Sequence, residues 1–313
     1  MICFWGKWPR HLPFFLVSAA KNNQIDFLIL TDNEPADPQY PNIHFRKLRL
    51  SDFLTHASTI LGFPVRFSNP YKVCDFKPLY GFLFQDYLKE YDYWGYCDLD
   101  MVLGDLQSFI SQPSSQPIDV LSTYSQFMSG PFSLYRNETR INELFRLSPR
   151  YRESLQDEIY RSFDENAFNE NITGFSFPKL LYFLGFAARY LFHLNAVSVT
   201  WKELRYQFQC SYKKHKTDPE NPADITEVIW LQAQRRNLHA RFVPLMVTEP
   251  ALNRRNISDW SYRWENGKLT ENTTGEEVFA FHFQESKHKE DFMVPPDIKD
   301  SPFIITPKGI FYD

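Results

Sequence analysis

The chain has 313 residues, of which 43% are hydrophobic and 23% are charged, so it is long and apolar enough to bury a core, and we do not expect a disordered chain. Aromatic residues make up 17% of the chain, including 30 Phe and 17 Tyr, which predicts an ordered fold packed by aromatic side chains. The formal net charge is −4, without the basic excess of non-specific nucleic-acid binders, so we expect no nucleic-acid partner.

The four cysteines are scattered, at Cys3, Cys74, Cys97 and Cys210. This spacing indicates neither a CxxC metal site nor a dense disulfide framework. Reduced thiols in a cytoplasmic compartment are the simpler interpretation. No run approaches the ~18 apolar residues of a membrane span.

The N-terminal third alternates between strand and helix patterns. Residues 2–5, 25–31 and 43–48 are strand-like, whereas residues 9–21 and 51–61 have helical spacing. This β-α-β order predicts a parallel sheet with a right-handed crossover.

An acidic pair follows the next apolar strand. Residues 78–90 are predicted to form an amphipathic helix that begins at Pro78, and residues 93–97 form a strand. Asp98 and Asp100 come directly after that strand. In open α/β sheets ligands bind at the carboxyl ends of the strands, so the pair is a candidate site.

The rest of the chain is predicted to contain three more strands, a long and mainly helical stretch, one further helix and a tail without a regular element. The strands are residues 120–124, 132–135 and 278–283. The mainly helical stretch is residues 139–204, the further helix is residues 224–236, and the irregular tail begins at Pro295.

Asp98 and Asp100 carry the sharpest chemical signal. Alternation along an extended segment places both side chains on one side, about 7 Å apart. Two close carboxylates repel unless a proton or a cation intervenes. A divalent ion such as Mg²⁺ or Mn²⁺ prefers oxygen ligands and shares its shell with substrate phosphates, whereas the alternative is a solvated turn.

The chain resembles nucleotide-sugar-dependent glycosyltransferases of the GT-A fold, whose Asp-x-Asp motif ends a central strand. The resemblance covers most of the chain and is closest to bacterial proteins that share several runs. These are residues 69–78 (Asn-Pro-Tyr-Lys-Val-Cys-Asp-Phe-Lys-Pro), residues 93–100 (Tyr-Trp-Gly-Tyr-Cys-Asp-Leu-Asp), and shorter matches at 4–9, 130–137, 264–269 and 281–284.

The resemblance implies an α/β fold that is GT-A-like and Rossmann-related, with a mixed, mostly parallel sheet flanked by helices and a helical C-terminal portion. It implies a single domain over residues 1–313. Residues 1–136 would bind the nucleotide sugar, and residues 137–313 would form a mainly helical acceptor side with a late strand that returns to the site.

The resemblance also implies roles for residues around the acidic pair. Asp75 and Lys77 look like an Asp and a basic residue that contact the donor sugar and diphosphate, and His282 looks like a third metal ligand beside Asp98 and Asp100. An imidazole beside two carboxylates suits Mn²⁺ better than Mg²⁺. Lys287 or Lys289 would neutralise the departing nucleotide diphosphate.

Two further groups complete the expected site. The first strand and its turn, with Phe4, Gly6 and Lys7, would lie under the nucleotide base, and Asp32 would be within reach, although Phe4 can equally belong to the core. Asp164 and Glu165 are the acidic candidates for the acceptor or the reacting sugar, with a solvated loop as the alternative.

The remaining features are expected to have structural or surface roles. A basic aromatic stretch at residues 201–216, with Trp201 and Lys216 at its ends, would make peripheral contact with the inner face of the plasma membrane, or else be simply solvated. The seven histidines that lack metal-ligand spacing are predicted to be structural or exposed: His11, His44, His56, His193, His215, His239 and His288.

These expectations predict a metal-dependent glycosyltransferase of the hexosyltransferase type. It would move a sugar from a nucleotide diphosphate sugar, expected to be UDP-linked, to a glycan or lipid-linked glycan in bacterial surface polysaccharide synthesis. The resemblance at Asp75 and His282 implies retention of configuration. The alternatives are a nucleotidyltransferase or phosphohydrolase that uses the same carboxylates, and a non-catalytic carbohydrate-binding protein.

Overall fold

A computed structural model of the chain describes residues 1–36, 40–111, 117–165, 208, 217–255, 257–297, 299 and 301–313. Within these residues the fold is mixed α/β, with parallel and antiparallel strand pairs. The helices are α1 (Leu12–Ala20), α2 (Leu50–Leu61), α3 (Tyr80–Leu83), α4 (Leu106–Ile110), α5 (Thr139–Asn142), α6 (Tyr151–Gln156), α7 (Ile225–Gln234) and α8 (Glu249–Arg254), with 3-10 helices at Pro70–Leu79, Gln85–Tyr87, Leu144–Leu147 and Ser286–His288.

Four sheets are present among the described residues. Their strands are β1 (Ile2–Phe4), β2 (Phe27–Thr31), β3 (Ile43–Lys47), β4 (Tyr93–Cys97), β5 (Met101–Leu103), β6 (Val120–Ser122), β7 (Phe132–Arg136), β8 (Ala240–Phe242), β9 (Met246–Thr248), β10 (Tyr262–Glu265), β11 (Lys268–Glu271), β12 (Ala280–His282), β13 (Phe303–Thr306) and β14 (Gly309–Tyr312). The sheet orders are β1-β2-β3, β4-β7-β6-β8, β5-β12-β9 and β11-β10-β13-β14.

The first sheet confirms the predicted β-α-β alternation. β1, β2 and β3 are parallel, and α1 connects the first two strands. α1 is almost wholly buried because its apolar residues cover most of its circumference. α2 ends where Gly62 adopts a left-handed conformation with φ 73°, a position that favours glycine.

The chain changes sheet at the acidic pair. β4 belongs to the sheet of β6, β7 and β8, whereas β5 pairs with β12 in another sheet. Asp98 and Asp100 lie in the link between β4 and β5, so the link holds them at the junction of the two sheets.

The predicted continuous helix over residues 78–90 is wrong. The 3-10 helix Pro70–Leu79 leads into the short α3, and the 3-10 helix Gln85–Tyr87 follows after Phe84 leaves helical geometry at φ −118° and ψ 29°. Gly81 lies against the Trp94 indole, where a Cβ atom would stand 2.3 Å from the ring. Packing against this ring therefore shapes the segment, which the helical period alone does not reveal.

The C-terminal part is richer in strands than predicted. The tail from Pro295 was expected to lack regular structure, yet β13 and β14 form an antiparallel hairpin beside β10. The expectation of a mainly helical C-terminal portion does not describe residues 217–313, which contain seven strands and two α-helices among the described residues. Residues 166–207 and 209–216, on which it also rested, lie outside the described residues.

The C-terminal sheet packs behind β12 and supports it. Phe281 and Phe283 are fully buried in an aromatic cluster with Trp264 and Phe303. Because side chains alternate along a strand, His282 between them points to the opposite face.

Within the described residues, no helix has the length and apolar character needed to cross a bilayer.

Candidate functional site

Asp98, Asp100 and His282 meet at the junction of the sheets. Each offers a ligand atom, and these atoms all lie within 4.8 Å of one another. The Asp98 backbone N–H donates to the Pro131 carbonyl at 2.9 Å, and the Phe283 N–H donates to the Asp100 carbonyl at 2.9 Å. These bonds tie the acidic link to β7 on one side and to β12 on the other.

The His282 ring fits a metal ligand better than a packed core residue. Its side chain is 4% exposed, and neither ring nitrogen has a hydrogen-bond partner among the described residues, although Nε2 lies 3.3 Å from Asp100 Oδ1. Buried polar atoms without partners are costly. Two carboxylates and an imidazole form a donor set that suits a divalent ion of the Mn²⁺ type. The residues present therefore fit such an ion.

Two lysines neutralise the two carboxylates. Lys77 Nζ donates to Asp98 Oδ1 at 2.6 Å and to the Gly130 carbonyl at 2.8 Å, and Lys287 Nζ donates to Asp100 Oδ2 at 2.5 Å. Burial favours the neutral amine of Lys77, but the acidic groups around it, with Asp98 foremost, together outweigh burial and hold the pKa of Lys77 well above its usual value. Burial would likewise raise the pKa of Asp100, but His282 and Lys287 hold it below its usual value. Asp100 is thus ionised and Lys77 is a cation.

Asp164 and Glu165 lie beside Lys77. Asp164 Oδ2 is 4.0 Å from Lys77 Nζ, and its Oδ1 accepts a hydrogen bond from the Tyr160 hydroxyl at 2.9 Å. Burial, followed by the charge of Glu165, raises the pKa of Asp164 well above its usual value, and burial also raises that of Glu165. The structure therefore brings this expected acidic pair to the site, with one member prone to hold a proton.

Asp75 has a different environment from the one expected of a donor contact. Its carboxylate is fully buried and accepts hydrogen bonds from Lys72 Nζ at 2.8 Å, the Arg161 N–H at 2.8 Å and the Phe163 N–H at 2.7 Å. Burial raises its pKa, and these three donors oppose that shift. Asp75 thus fixes the segment that leads directly into Asp164.

The expected nucleotide residues form a separate group at the carboxyl ends of β1 and β2. Phe4 is half-buried and stacks on Trp8, with ring centroids 5.1 Å apart and planes 9° apart. Gly6 has φ 127°, and its carbonyl accepts a hydrogen bond from Asn33 Nδ2 at 2.7 Å. Lys7 and Asp32 are exposed. An exposed edge with a stacked aromatic pair is compatible with a base-binding role, which stays a prediction.

His11 and Tyr160 are site neighbours that the sequence did not reveal. His11 is buried, its ring lies 5.3 Å from that of Phe283, and its Nε2 has no hydrogen-bond partner among the described residues. Burial lowers the pKa of His11 to about 4, against the opposing charge of Asp100. No motif marks either residue, since both reach the site only through the tertiary fold.

A cavity of about 980 Å³ lies elsewhere, between β2 and β4. Its lining includes Phe27, His44, Tyr87 and Trp94, but none of the carboxylates of the candidate site.

Residues 201–216, apart from the buried Phe208, lie outside the described residues, so the expected membrane contact stays a prediction.

Comparisons with known proteins give one family match and two similar structures. The sequence profile of DUF6625, described as a family of unknown function, matches residues 1–312. A crystal structure of the galactosyltransferase LgtC with donor and acceptor sugar analogues is 13% identical, with a TM-score of 0.31, and the match covers 51% of this chain and 66% of that one. An active-site mutant of LgtC has the same identity and coverage and a TM-score of 0.28. The match thus spans just under two thirds of those chains. The search of curated proteins found no match.

Proposed function

The chain belongs to the DUF6625 family, and we propose that it is a metal-dependent, GT-A-like glycosyltransferase that moves a sugar from a nucleotide diphosphate sugar to a glycan or glycolipid. The observation that carries this proposal is the meeting of Asp98, Asp100 and His282 within 4.8 Å, with a lysine bonded to each carboxylate.

The charges of the site support a bound metal together with a diphosphate. Asp98 and Asp100 contribute two negative charges, which Lys77 and Lys287 neutralise. A divalent cation and the two negative charges of a donor diphosphate add no net charge to this group. A bound Mn²⁺ or Mg²⁺ would supply charge stabilisation for the leaving diphosphate.

The protein groups then have distinct tasks. Asp98, Asp100 and His282 hold the cation. Lys287 is 28% exposed, so its ammonium can turn from Asp100 toward a phosphate, whereas Lys77 is 7% exposed and bound to the Gly130 carbonyl, which fixes it as a positioning cation beside Asp98. Preorganised charge of this kind stabilises a departing anion without reorganisation at the moment of transfer.

Asp164 and Glu165 face the reacting sugar and the acceptor in this proposal. Glu165 is partly exposed; burial raises its pKa, and the charge of Lys77 opposes that shift. Its carboxylate can accept the acceptor hydroxyl proton or stabilise the cationic anomeric carbon. Asp75 acts as a positioning residue, because it holds the segment before this acidic pair.

The finer parts of the proposal rest on the sequence resemblance. These are a UDP-linked donor, Mn²⁺ as the metal, retention of configuration, an acceptor in bacterial surface polysaccharide synthesis, and a cytoplasmic site of action on the inner face of the membrane. The imidazole ligand supports Mn²⁺ over Mg²⁺ on chemical grounds.

A thermal-shift titration tests the proposal. UDP, GDP and CMP are each added with and without Mn²⁺, and we expect one nucleoside diphosphate to stabilise the protein only with the metal, by about 2.7 kcal/mol at 100 times its Kd. Asp100→Ala should remove this stabilisation and abolish sugar transfer. Asp92→Asn is the matched control, because Asp92 is an exposed aspartate that directly precedes β4, at the opposite end of the strand from Asp98.

Three outcomes oppose the proposal in different ways. Stabilisation by free glycans, with indifference to every nucleotide, favours a carbohydrate-binding protein. Metal-dependent hydrolysis of phosphate esters without sugar transfer favours a phosphohydrolase. Wild-type turnover in Asp100→Ala rejects the metal assignment.

A further inference from the structure

Tyr71 is an exposed aromatic side chain on a rigid backbone. It is 59% exposed, although the next residue, Lys72, is 1% exposed and paired with the buried Asp75. Pro70 restricts the backbone before it, and the Asn69 side chain accepts a hydrogen bond from the Tyr71 N–H at 3.1 Å. The ring is therefore presented to solvent by a segment that cannot readily fold it inward.

A short chain of contacts joins Tyr71 to the candidate site. Its ring meets that of Tyr160 edge to face, with centroids 4.9 Å apart and planes 76° apart. The Tyr160 hydroxyl donates to Asp164 Oδ1 at 2.9 Å, and Asp164 Oδ2 is 4.0 Å from Lys77, which binds Asp98. Two side chains thus separate Tyr71 from Lys77.

The neighbouring polar groups are two carboxyl groups. Asp164 is fully buried, and its Oδ2 has no hydrogen-bond partner among the described residues. Glu165 follows it and is partly exposed. An exposed aromatic face beside carboxylates matches a saccharide, because a pyranose has an apolar face of C–H groups and a rim of hydroxyl donors.

We propose that Tyr71, oriented by Tyr160, is the stacking platform for a pyranose ring of the acceptor, with its hydroxyls directed to the partly exposed Glu165. This inference rests on the proposed function and specifies its acceptor as a saccharide with an exposed apolar face. A tyrosine fixed in this way loses little side-chain entropy when a ligand covers it.

Saturation-transfer difference NMR tests the platform with methyl β-D-galactopyranoside as the probe, on the full chain with and without UDP and Mn²⁺. We expect saturation on the hydrogens of the apolar face of the pyranose ring. The dissociation constant should be about three- to tenfold larger in Tyr71→Ala. Tyr71→Phe should bind within twofold of the wild type, because the ring and not the hydroxyl makes the contact.

Two control variants separate stacking from general apolarity. Tyr87→Ala removes a tyrosine of similar exposure, 48%, that lines the separate cavity, and it should not change binding. Ile159→Ala removes a 65% exposed apolar side chain whose backbone carbonyl accepts a hydrogen bond from Lys72, and it should also bind the saccharide normally. Circular dichroism checks that each variant is folded.

Equal saccharide binding by Tyr71→Ala and the wild type, or no signal from the wild type under either condition, overturns the platform. Loss of binding to phosphatidylglycerol vesicles in both Tyr71→Ala and Ile159→Ala, with unchanged saccharide binding, overturns it in favour of a lipid contact. Failure of the proposed function is seen separately, as absence of Mn²⁺-dependent nucleotide binding by the wild type.

Discussion

Replacing Asp75 with Asn should lower the free energy of unfolding of the protein, and not merely weaken donor binding. The carboxylate is fully buried and accepts hydrogen bonds from Lys72 Nζ, the Arg161 N–H and the Phe163 N–H. In Asp75→Asn the amide nitrogen must replace one oxygen, so at least one buried donor faces another donor. Lys72, which is 1% exposed, also loses the negative charge 2.8 Å away.

The loss follows from the burial of the pair. Removing one partner of a buried ion pair costs about 3–5 kcal/mol, because the other charge remains buried without compensation. Urea unfolding at pH 7, followed by tryptophan fluorescence and circular dichroism, gives this difference from the midpoints if the slope is unchanged. Lys72→Met/Asp75→Asn should lose less than the sum of the two single variants, because it leaves no unpaired charge.

Asp52→Asn is the matched control. Asp52 also pairs with a basic residue three positions away, Arg49 at 2.8 Å, but on the surface, so its replacement should not shift the midpoint measurably. The reasoning is refuted if Asp75→Asn unfolds within about 1 kcal/mol of the wild type. Normal stability with lost nucleotide-sugar binding would instead make Asp75 a donor contact.

Three further predictions address the site and its support. His282→Ala should weaken Mn²⁺ binding in isothermal titration calorimetry by less than Asp100→Ala does, and unchanged affinity would remove His282 from the ligand set. Burial raises the pKa of Asp164 above its ordinary value of 3.8, so the folded chain retains a proton that the unfolded chain loses. The contribution of Asp164 to stability therefore falls as the pH rises from 3.8 to the raised pKa. Asp164→Asn should remove that fall, so its stability relative to the wild type should grow with pH in urea titrations, and a constant difference would contradict the shift. Gly81→Ala should cost about 1–3 kcal/mol in urea unfolding, because the new methyl would stand 2.3 Å from the Trp94 indole, and a neutral result would show that the ring can move.

Features that depend on local pattern could be predicted from the sequence. The β-α-β order of the first sheet follows from the change in apolar period between residues 2 and 48. The position of Asp98 and Asp100 follows from the apolar strand that precedes them. His282 came from the family resemblance and not from spacing, since it lies 182 positions after Asp100 in sequence.

Features that depend on distant partners could not be predicted. β13 pairs with the edge of β10, about 40 positions earlier in the sequence, and β14 pairs with β13. The prolines before these strands indicate instead an irregular tail. The neighbouring β10–β11 hairpin does carry a local signal, because Asn266 and Gly267, with φ 50° and 84°, make the tight turn between these strands. Two of the three donors to Asp75, the Arg161 and Phe163 N–H groups, lie 86 and 88 positions away, so its structural role could not be seen from the local sequence.

The placement of His282 on β12 sets the order in which the site can mature. Its strand pairs with β5, so the imidazole reaches the acidic pair only after the chain has been synthesised through β12 and this long-range pairing has formed. A nascent chain that ends before β12 carries the aspartates but lacks the imidazole proposed as the third ligand. If the site binds a metal as proposed, high-affinity binding requires the pairing of β12 with β5, so metal affinity would report whether this part of the fold has formed.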